Sequence, residues 1–217
     1  MPPFDQEQWK AWLQDKVLVA GYGSLLSADS RRLTSNLNTP TVSVQIKNWS
    51  RAWITRAYHE NQTYVGALPS QGAWLNAQLV PSQIDAALVK REQDYRLTPI
   101  TIKDIELTEP SADTASFKEI LSNYPIYICE TLENRPANQA YKVNFSYLAT
   151  CLLGCFEKQG VEGMRAFMQT STGLSKELLF MDNKAPLYPW AANLTPEFEA
   201  LCKTIVEEYF AKTIYRP

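Results

Sequence analysis

The sequence predicts an α+β fold: a small, mixed, mostly antiparallel β-barrel with one inserted helix, followed by a helical C-terminal part. Three observations predict it. Six or seven apolar, alternating or β-branched runs lie between residues 17 and 130. Past Glu130 the apolar spacing changes to helical periodicity. No repeat or low-complexity linker interrupts the 217 residues, so a single domain over 1–217 is expected, with the barrel core at about 17–130 and the helical part at about 140–217.

Trp9, Trp12 and Leu13 recur at helical spacing, so 5–14 reads as a short amphipathic helix. Residues 17–22, VLVAGY, form a strand that Gly23-Ser24 ends in a tight turn. Further strands are expected at 41–46, 52–57, 63–68, 74–80, 100–107 and 126–129. Ser82 is placed to cap a helix running to about Tyr95, with Asp85, three residues on, completing the reciprocal contact. Segments 108–116 and 130–140 read as loops. Helices are expected at 144–159, 161–168 and 195–212, the last opened by Thr195-Pro196-Glu197.

Charge is nearly balanced, 21 Lys+Arg against 23 Asp+Glu, and no basic block offers a footprint for a phosphate backbone or an anionic membrane. Neither nucleic acid nor membrane is an expected partner. No run reaches the roughly 18 apolar residues of a membrane span, and the polar, acidic start lacks the pattern of an export signal, so a cytoplasmic location is expected. The four cysteines, Cys129, Cys151, Cys155 and Cys202, form no CxxC pair and read as buried thiols of a reducing compartment. No metal site is expected, because His59 is the only histidine and completes no ligand set; it reads as a surface residue.

The common catalytic patterns are absent: no phosphate-binding or dinucleotide-binding glycine loop, no HExxH, no EF-hand loop, and no nucleophile motif near His59. Cofactor-dependent chemistry therefore has no support. Two features remain. Tyr22-Gly23-Ser24-Leu25 ends the first strand with a glycine that permits close approach and with successive N–H groups able to face an anion. Glu92, in Arg91-Glu92-Gln93-Asp94-Tyr95, lies about 60° from the Ile84/Leu88/Tyr95 stripe of the expected helix, where partial desolvation would raise its pKa toward neutrality. Helical phase does not single it out. Arg91 lies at least as close to the stripe, and periodicity alone favours a solvated Arg91–Glu92 pair.

YGSL after the first strand, followed about seventy residues later by RExxY, resembles the γ-glutamylcyclotransferase-like family, which includes the ChaC-type and AIG2-like proteins. The likeness continues through Arg51-Ala52-Trp53, segment 66–76, Tyr127, and Ser146-Tyr147 with Gly154 seven residues on, so it spans about 17–155. It departs at Gln93, where many members carry glycine, and leaves the last sixty or so residues, including Asp182 to Pro189, unexplained.

The resemblance implies a small mixed barrel and a reaction in which the α-amino nitrogen of a γ-glutamyl group attacks its own γ-carbonyl, forming 5-oxoproline and expelling an amine, amino acid or peptide. It implies Glu92 as the catalytic proton carrier, no cofactor, and a substrate pocket formed by Tyr22, Gly23, Ser24, Leu25 and Tyr147. The turn's N–H groups would hold either the α-carboxylate or the oxyanion, and Ser24 would add a hydroxyl. For both tyrosines, core packing stays open beside the pocket-wall role. A γ-glutamyl small molecule, glutathione or a γ-glutamyl dipeptide first, is the expected partner, and the oligomeric state is left open. The alternative is a catalytically silent small-molecule-binding or interaction module on the same fold.

Overall fold

The computed structural model describes residues 6–35, 39–108 and 114–213. In chain order the elements are helix α1 (Gln6–Leu13), strand β1 (Val17–Gly21), helix α2 (Ala28–Ser35), the long strands β2 (Val42–Ala57) and β3 (Gln62–Ser82), helix α3 (Ala86–Arg91), strands β4 (Tyr95–Ile100) and β5 (Ile105–Leu107), helix α4 (Thr114–Ser122), strands β6 (Ile126–Thr131) and β7 (Val143–Asn144), helix α5 (Phe145–Gln169), strands β8 (Ser171–Thr172) and β9 (Leu179–Phe180), and helix α6 (Pro196–Thr213).

Seven strands form one sheet in the order β4-β6-β1-β3-β2-β5, with β8 beside β2. It is mostly antiparallel and curls into a half-barrel, with C-terminal helices beside it, as the sequence predicts. The parallel exceptions are β1–β6, β2–β8 and a single β3–β6 step at Ala67↔Glu130. That step lies beyond the end of β1, so β6 and β3 meet directly where β1 stops. Buried side chains form one cluster reaching from Trp9 of α1 to Val206 of α6.

The structure corrects several element boundaries. β2 and β3 are each continuous where two runs were expected, because bulges at Lys47/Trp49 and Trp53/Thr55 slip the inward–outward alternation without ending the strand. Asn48 takes φ 62° in the first bulge, and Asn61, at φ 51°, turns the hairpin. α5, by contrast, is two helical segments that break at Gly160 (φ 61°, ψ −152°), the point at which the sequence pattern divides them. The expected strand at 100–107 is β4, a 3-10 turn at Ile102–Asp104, and β5. Ser82 does not cap α3; it ends β3 with its hydroxyl on the Val80 carbonyl at 3.0 Å. Asp85 is the cap, accepting the Leu88 N–H at 2.9 Å, and the helix stops at Arg91 rather than near Tyr95. α2 was not anticipated, and α4 begins inside the expected loop at 108–116.

The four cysteines are free and buried, and His59 is exposed between β2 and β3. Among the described residues no helix is long and apolar enough to cross a membrane.

Candidate active site

β1 delivers Tyr22 into the gap between β3 and β6. The buried phenol donates to the Cys129 carbonyl and accepts the Ala67 N–H at 3.1 Å, so a side chain continues the ladder past the strand's end. The chain then folds tightly into a 3-10 turn, Ser24–Leu26, closed by Leu26 N–H to Gly23 O at 3.0 Å and Ser27 N–H to Ser24 O at 3.1 Å. The N–H groups of Ser24 and Leu25 have no partner within such a turn and are available to an anion. Close packing explains the glycine of YGSL: a Cβ on Gly23 would lie 2.8 Å from the Tyr147 hydroxyl.

Two buried arginines hold the turn from behind. Arg31 of α2 donates to the carbonyls of Leu25 and Leu26 at 2.7 and 2.8 Å. Arg51 of β2, fully buried, donates to the Tyr22 carbonyl at 3.0 Å, to Asn76, and to the Phe167 carbonyl and Thr170 hydroxyl at the C-terminal end of α5. The negative end of that helix offsets its charge. Burial pulls both guanidinium groups down to about 10, which leaves them charged at neutral pH. From α5, Gly154 packs on the turn so closely that a Cβ would sit 2.2 Å from the Leu26 carbonyl carbon.

Glu92 is the residue capping the C-terminus of α3, with φ −98° and ψ 28° and its N–H on the Leu88 carbonyl at 2.9 Å. It lies outside the helix, so the cap geometry, and not helical phase, directs its carboxylate. The side chain is 13% exposed and that of Arg91 6%; Arg91 Nε reaches Glu92 Oε1 at 3.0 Å. The expectation of a solvated pair is thereby overturned: the two charges close against the body of the fold. Arg91 Nη2 also donates to the Ser24 hydroxyl at 3.0 Å, linking the carboxylate to the turn. Burial pushes Glu92 above the usual carboxylate range despite the opposing pull of Arg91 and of a contact with the Cys129 thiol. Burial and the Glu92 charge push that thiol up in turn.

The opposite wall is aromatic. Tyr147 of α5 meets Tyr64 of β3 at 4.5 Å between ring centroids and Tyr188 at 5.0 Å, and Trp190 stacks edge-on to Tyr188 at 5.7 Å. Tyr95, the first residue of β4, donates to the Val65 carbonyl at 2.7 Å. Burial raises all of these phenols, so they stay protonated. Tyr188 and Trp190 arrive on a C-terminal strap clipped to the start of α5. The buried Asp182 carboxylate accepts the Ser146 N–H at 2.8 Å, the Ser146 hydroxyl at 2.5 Å and the Leu187 N–H at 2.8 Å, while the Ser146 hydroxyl accepts the Tyr188 N–H at 3.1 Å.

These walls enclose one pocket of about 490 Å³, open mouth included. Tyr22, Gly23, Ser24, Leu25, Glu92 and Tyr147 all line it. Arg91, Tyr64, Tyr95, Cys129, Tyr188 and Trp190 line it too and were not singled out from the sequence as site residues, although Arg91 and Tyr95 belong to RExxY. Tyr127 and Trp53 are absent from the lining, and Trp53 is a core residue. Among the described residues no group of three or more His, Cys, Asp or Glu is placed to hold a metal ion.

No family model matches the chain, and no curated protein matches it. A solved γ-glutamyl cyclotransferase is similar in structure at a TM-score of 0.51 and 11% identity, over 87% of this chain and 99% of that one. A human protein described as uncharacterized is 12% identical over the same shares, 87% and 99%, at a TM-score of 0.49. A yeast γ-glutamyl cyclotransferase specific to glutathione is 12% identical over 90% of this chain and 99% of that one, at 0.41. The first of these establishes the fold.

Proposed function

We propose that the chain is a cofactor-independent γ-glutamylcyclotransferase that converts a γ-glutamyl compound to 5-oxoproline and a free amine, amino acid or peptide. The observation that carries the reading is that Glu92 and the start of the turn, Gly23 to Leu25, line the same pocket, linked through Arg91.

The reaction asks little covalent chemistry of the protein. The pocket holds the γ-glutamyl chain curled, so that its amine lies near its own carbonyl, and such positioning lowers the barrier by several kcal/mol, on the order of 7–11 at best. Glu92 takes a proton from the α-ammonium, and its burial-raised pKa brings it closer to that of the amine. The freed amine adds to the γ-carbonyl carbon, and turn N–H groups hold the resulting oxyanion. The bond to the leaving nitrogen then breaks. Two of the three ammonium protons end on the departing amine, carried by way of Glu92, and one stays on the ring nitrogen. Neither water nor an electron acceptor is consumed.

Glutathione or a γ-glutamyl dipeptide is the substrate we put first, with the leaving group facing the aromatic wall. Incubating the purified chain with glutathione, γ-glutamyl-alanine and a γ-glutamylamine, and measuring 5-oxoproline by mass spectrometry, tests the reading. Release from at least one is expected; release from none contradicts it.

A second reading, a binding module without turnover, is favoured by the ion pair that occupies Glu92 at 3.0 Å. Under it, calorimetry would register binding of a γ-glutamyl compound while no product accumulates.

A further inference from the structure

We infer that Arg91 is a specificity-determining residue that binds the α-carboxylate of the γ-glutamyl group, leaving the turn's N–H groups to the oxyanion. This rests on the cyclotransferase reading and goes beyond it, since that reading leaves open what the turn binds.

The head of a γ-glutamyl substrate carries a carboxylate and an ammonium on one carbon, so its receptors must be a cation and an anion side by side. Arg91 Nε and Glu92 Oε1, 3.0 Å apart, are such a pair, and both residues line the pocket. Among the described residues, Arg91 is the one cationic side chain on that lining. The other two buried arginines are absent from the lining and donate to backbone and core groups: Arg31 to the carbonyls of Leu25 and Leu26, Arg51 to Tyr22, Asn76 and Phe167. Arg91 is itself held by the Ser30 carbonyl at 3.4 Å and the Ser30 hydroxyl at 3.3 Å as well as by Ser24, so the carboxylate would meet it along the edge that Glu92 now occupies. A guanidinium suits the task because its planar fork meets a carboxylate with two parallel hydrogen bonds.

The contact of Arg91 Nη2 with the Ser24 hydroxyl at 3.0 Å fixes where the carboxylate lies, beside the start of the 3-10 turn. The resting Arg91–Glu92 pair then stands in for the ligand. On binding, the substrate carboxylate takes over Arg91 and the ammonium takes over Glu92, so one ion pair is exchanged for two and the base faces the proton it must remove. A near-complete loss of solvent around Arg91 also fits this role, because a buried ion pair is weak evidence of stabilisation by itself.

The test compares two pairs of probes that differ in the α-carboxylate: 5-oxoproline against 2-pyrrolidinone for binding by calorimetry, and γ-glutamyl-alanine against 4-aminobutyryl-alanine for cyclisation. In the wild-type chain each carboxylate-bearing partner is expected to be preferred by roughly 10- to 100-fold. Arg91→Gln should bring both ratios close to one, and Arg91→Lys, which keeps the charge without the fork, should restore part of them. A structural role would weaken all four probes alike. Should Arg91→Gln, or Arg91→Lys if the former does not fold, retain the wild-type ratio, the assignment is overturned while turnover of γ-glutamyl-alanine leaves the cyclotransferase reading standing. A wild-type chain that neither binds 5-oxoproline nor releases it from γ-glutamyl-alanine overturns both.

Discussion

The Tyr22 phenol is hydrogen-bonded to the Cys129 carbonyl at the point where β1 ends and β3 and β6 close on each other. The same oxygen accepts the Ala67 N–H at 3.1 Å, so one side chain satisfies a backbone group on each flanking strand. Tyr22→Phe should keep the ring packing and leave both groups buried without that partner. A stability loss of about 1–3 kcal/mol in urea unfolding is expected. An unchanged midpoint would mean that the phenol contributes nothing at this junction.

Glu92 gives a pH signature in folding as well as in rate. Its folded pKa is raised above the ordinary 4.5, chiefly by burial and against the pull of Arg91, so the native state holds more protons than the unfolded chain between those two values. Stability is therefore greatest below the window, falls as pH rises through it, and levels off above. Asp94 is raised too and adds a slope of the same sign. The difference between wild type and Glu92→Gln isolates the Glu92 part: the variant should lose that share of the decline. In the wild type, the acid limb of kcat/KM should lie above 4.5. A limb at or below the ordinary carboxylate value would exclude Glu92 as a desolvated base.

Asp182 anchors the strap that carries Tyr188 and Trp190. Asp182→Asn replaces a carboxylate that accepts three hydrogen bonds, from the Ser146 N–H, the Ser146 hydroxyl and the Leu187 N–H, with a group presenting donors to some of them. Stability should fall by about 2–3 kcal/mol. KM for a γ-glutamyl substrate should rise more than kcat falls, because the strap lines the pocket and leaves Glu92 in place. Equal effects on both constants would place the strap in the chemistry.

Gly154 sets how near α5 comes to the substrate turn. With a Cβ due at 2.2 Å from Leu26 C and 2.3 Å from Ser27 N, both backbone atoms, Gly154→Ala must separate helix and turn. Overpacking of this kind costs about 1–3 kcal/mol. Activity at a temperature where the variant is folded should fall as well, since the turn moves with its support. Full activity in the folded variant would show that the turn's position is not critical.

Much of this site was legible locally. Tyr22-Gly23-Ser24-Leu25 shows a strand end with a glycine, and the structure adds the reason for Gly23, the Tyr147 hydroxyl lying where a side chain would project. Tyr147 and Gly154 lie seven residues apart on one helix, and both face the turn. Glu92 was legible as a residue but not as a geometry: helical phase extended α3 past its end, whereas the orientation comes from a cap residue with ψ 28°. Arg91 read as solvated for the same reason. Tyr188 and Trp190 had no local signal, because Asp182 pairs with Ser146 across 36 residues and no periodicity encodes such a contact. α2 escaped because ADSRRLTS is short and polar, with Leu33 exposed. Bulges disguised β2 and β3 by shifting the alternation that marks a strand.

The most direct measurement of the central claim is 5-oxoproline release by wild type and by Glu92→Gln, on the substrate the wild type turns over best, with circular dichroism confirming that both are folded. If Glu92 carries the proton, the variant should lose about 10²- to 10⁴-fold in rate while still binding 5-oxoproline. A folded Glu92→Gln chain releasing 5-oxoproline at the wild-type rate would contradict the claim.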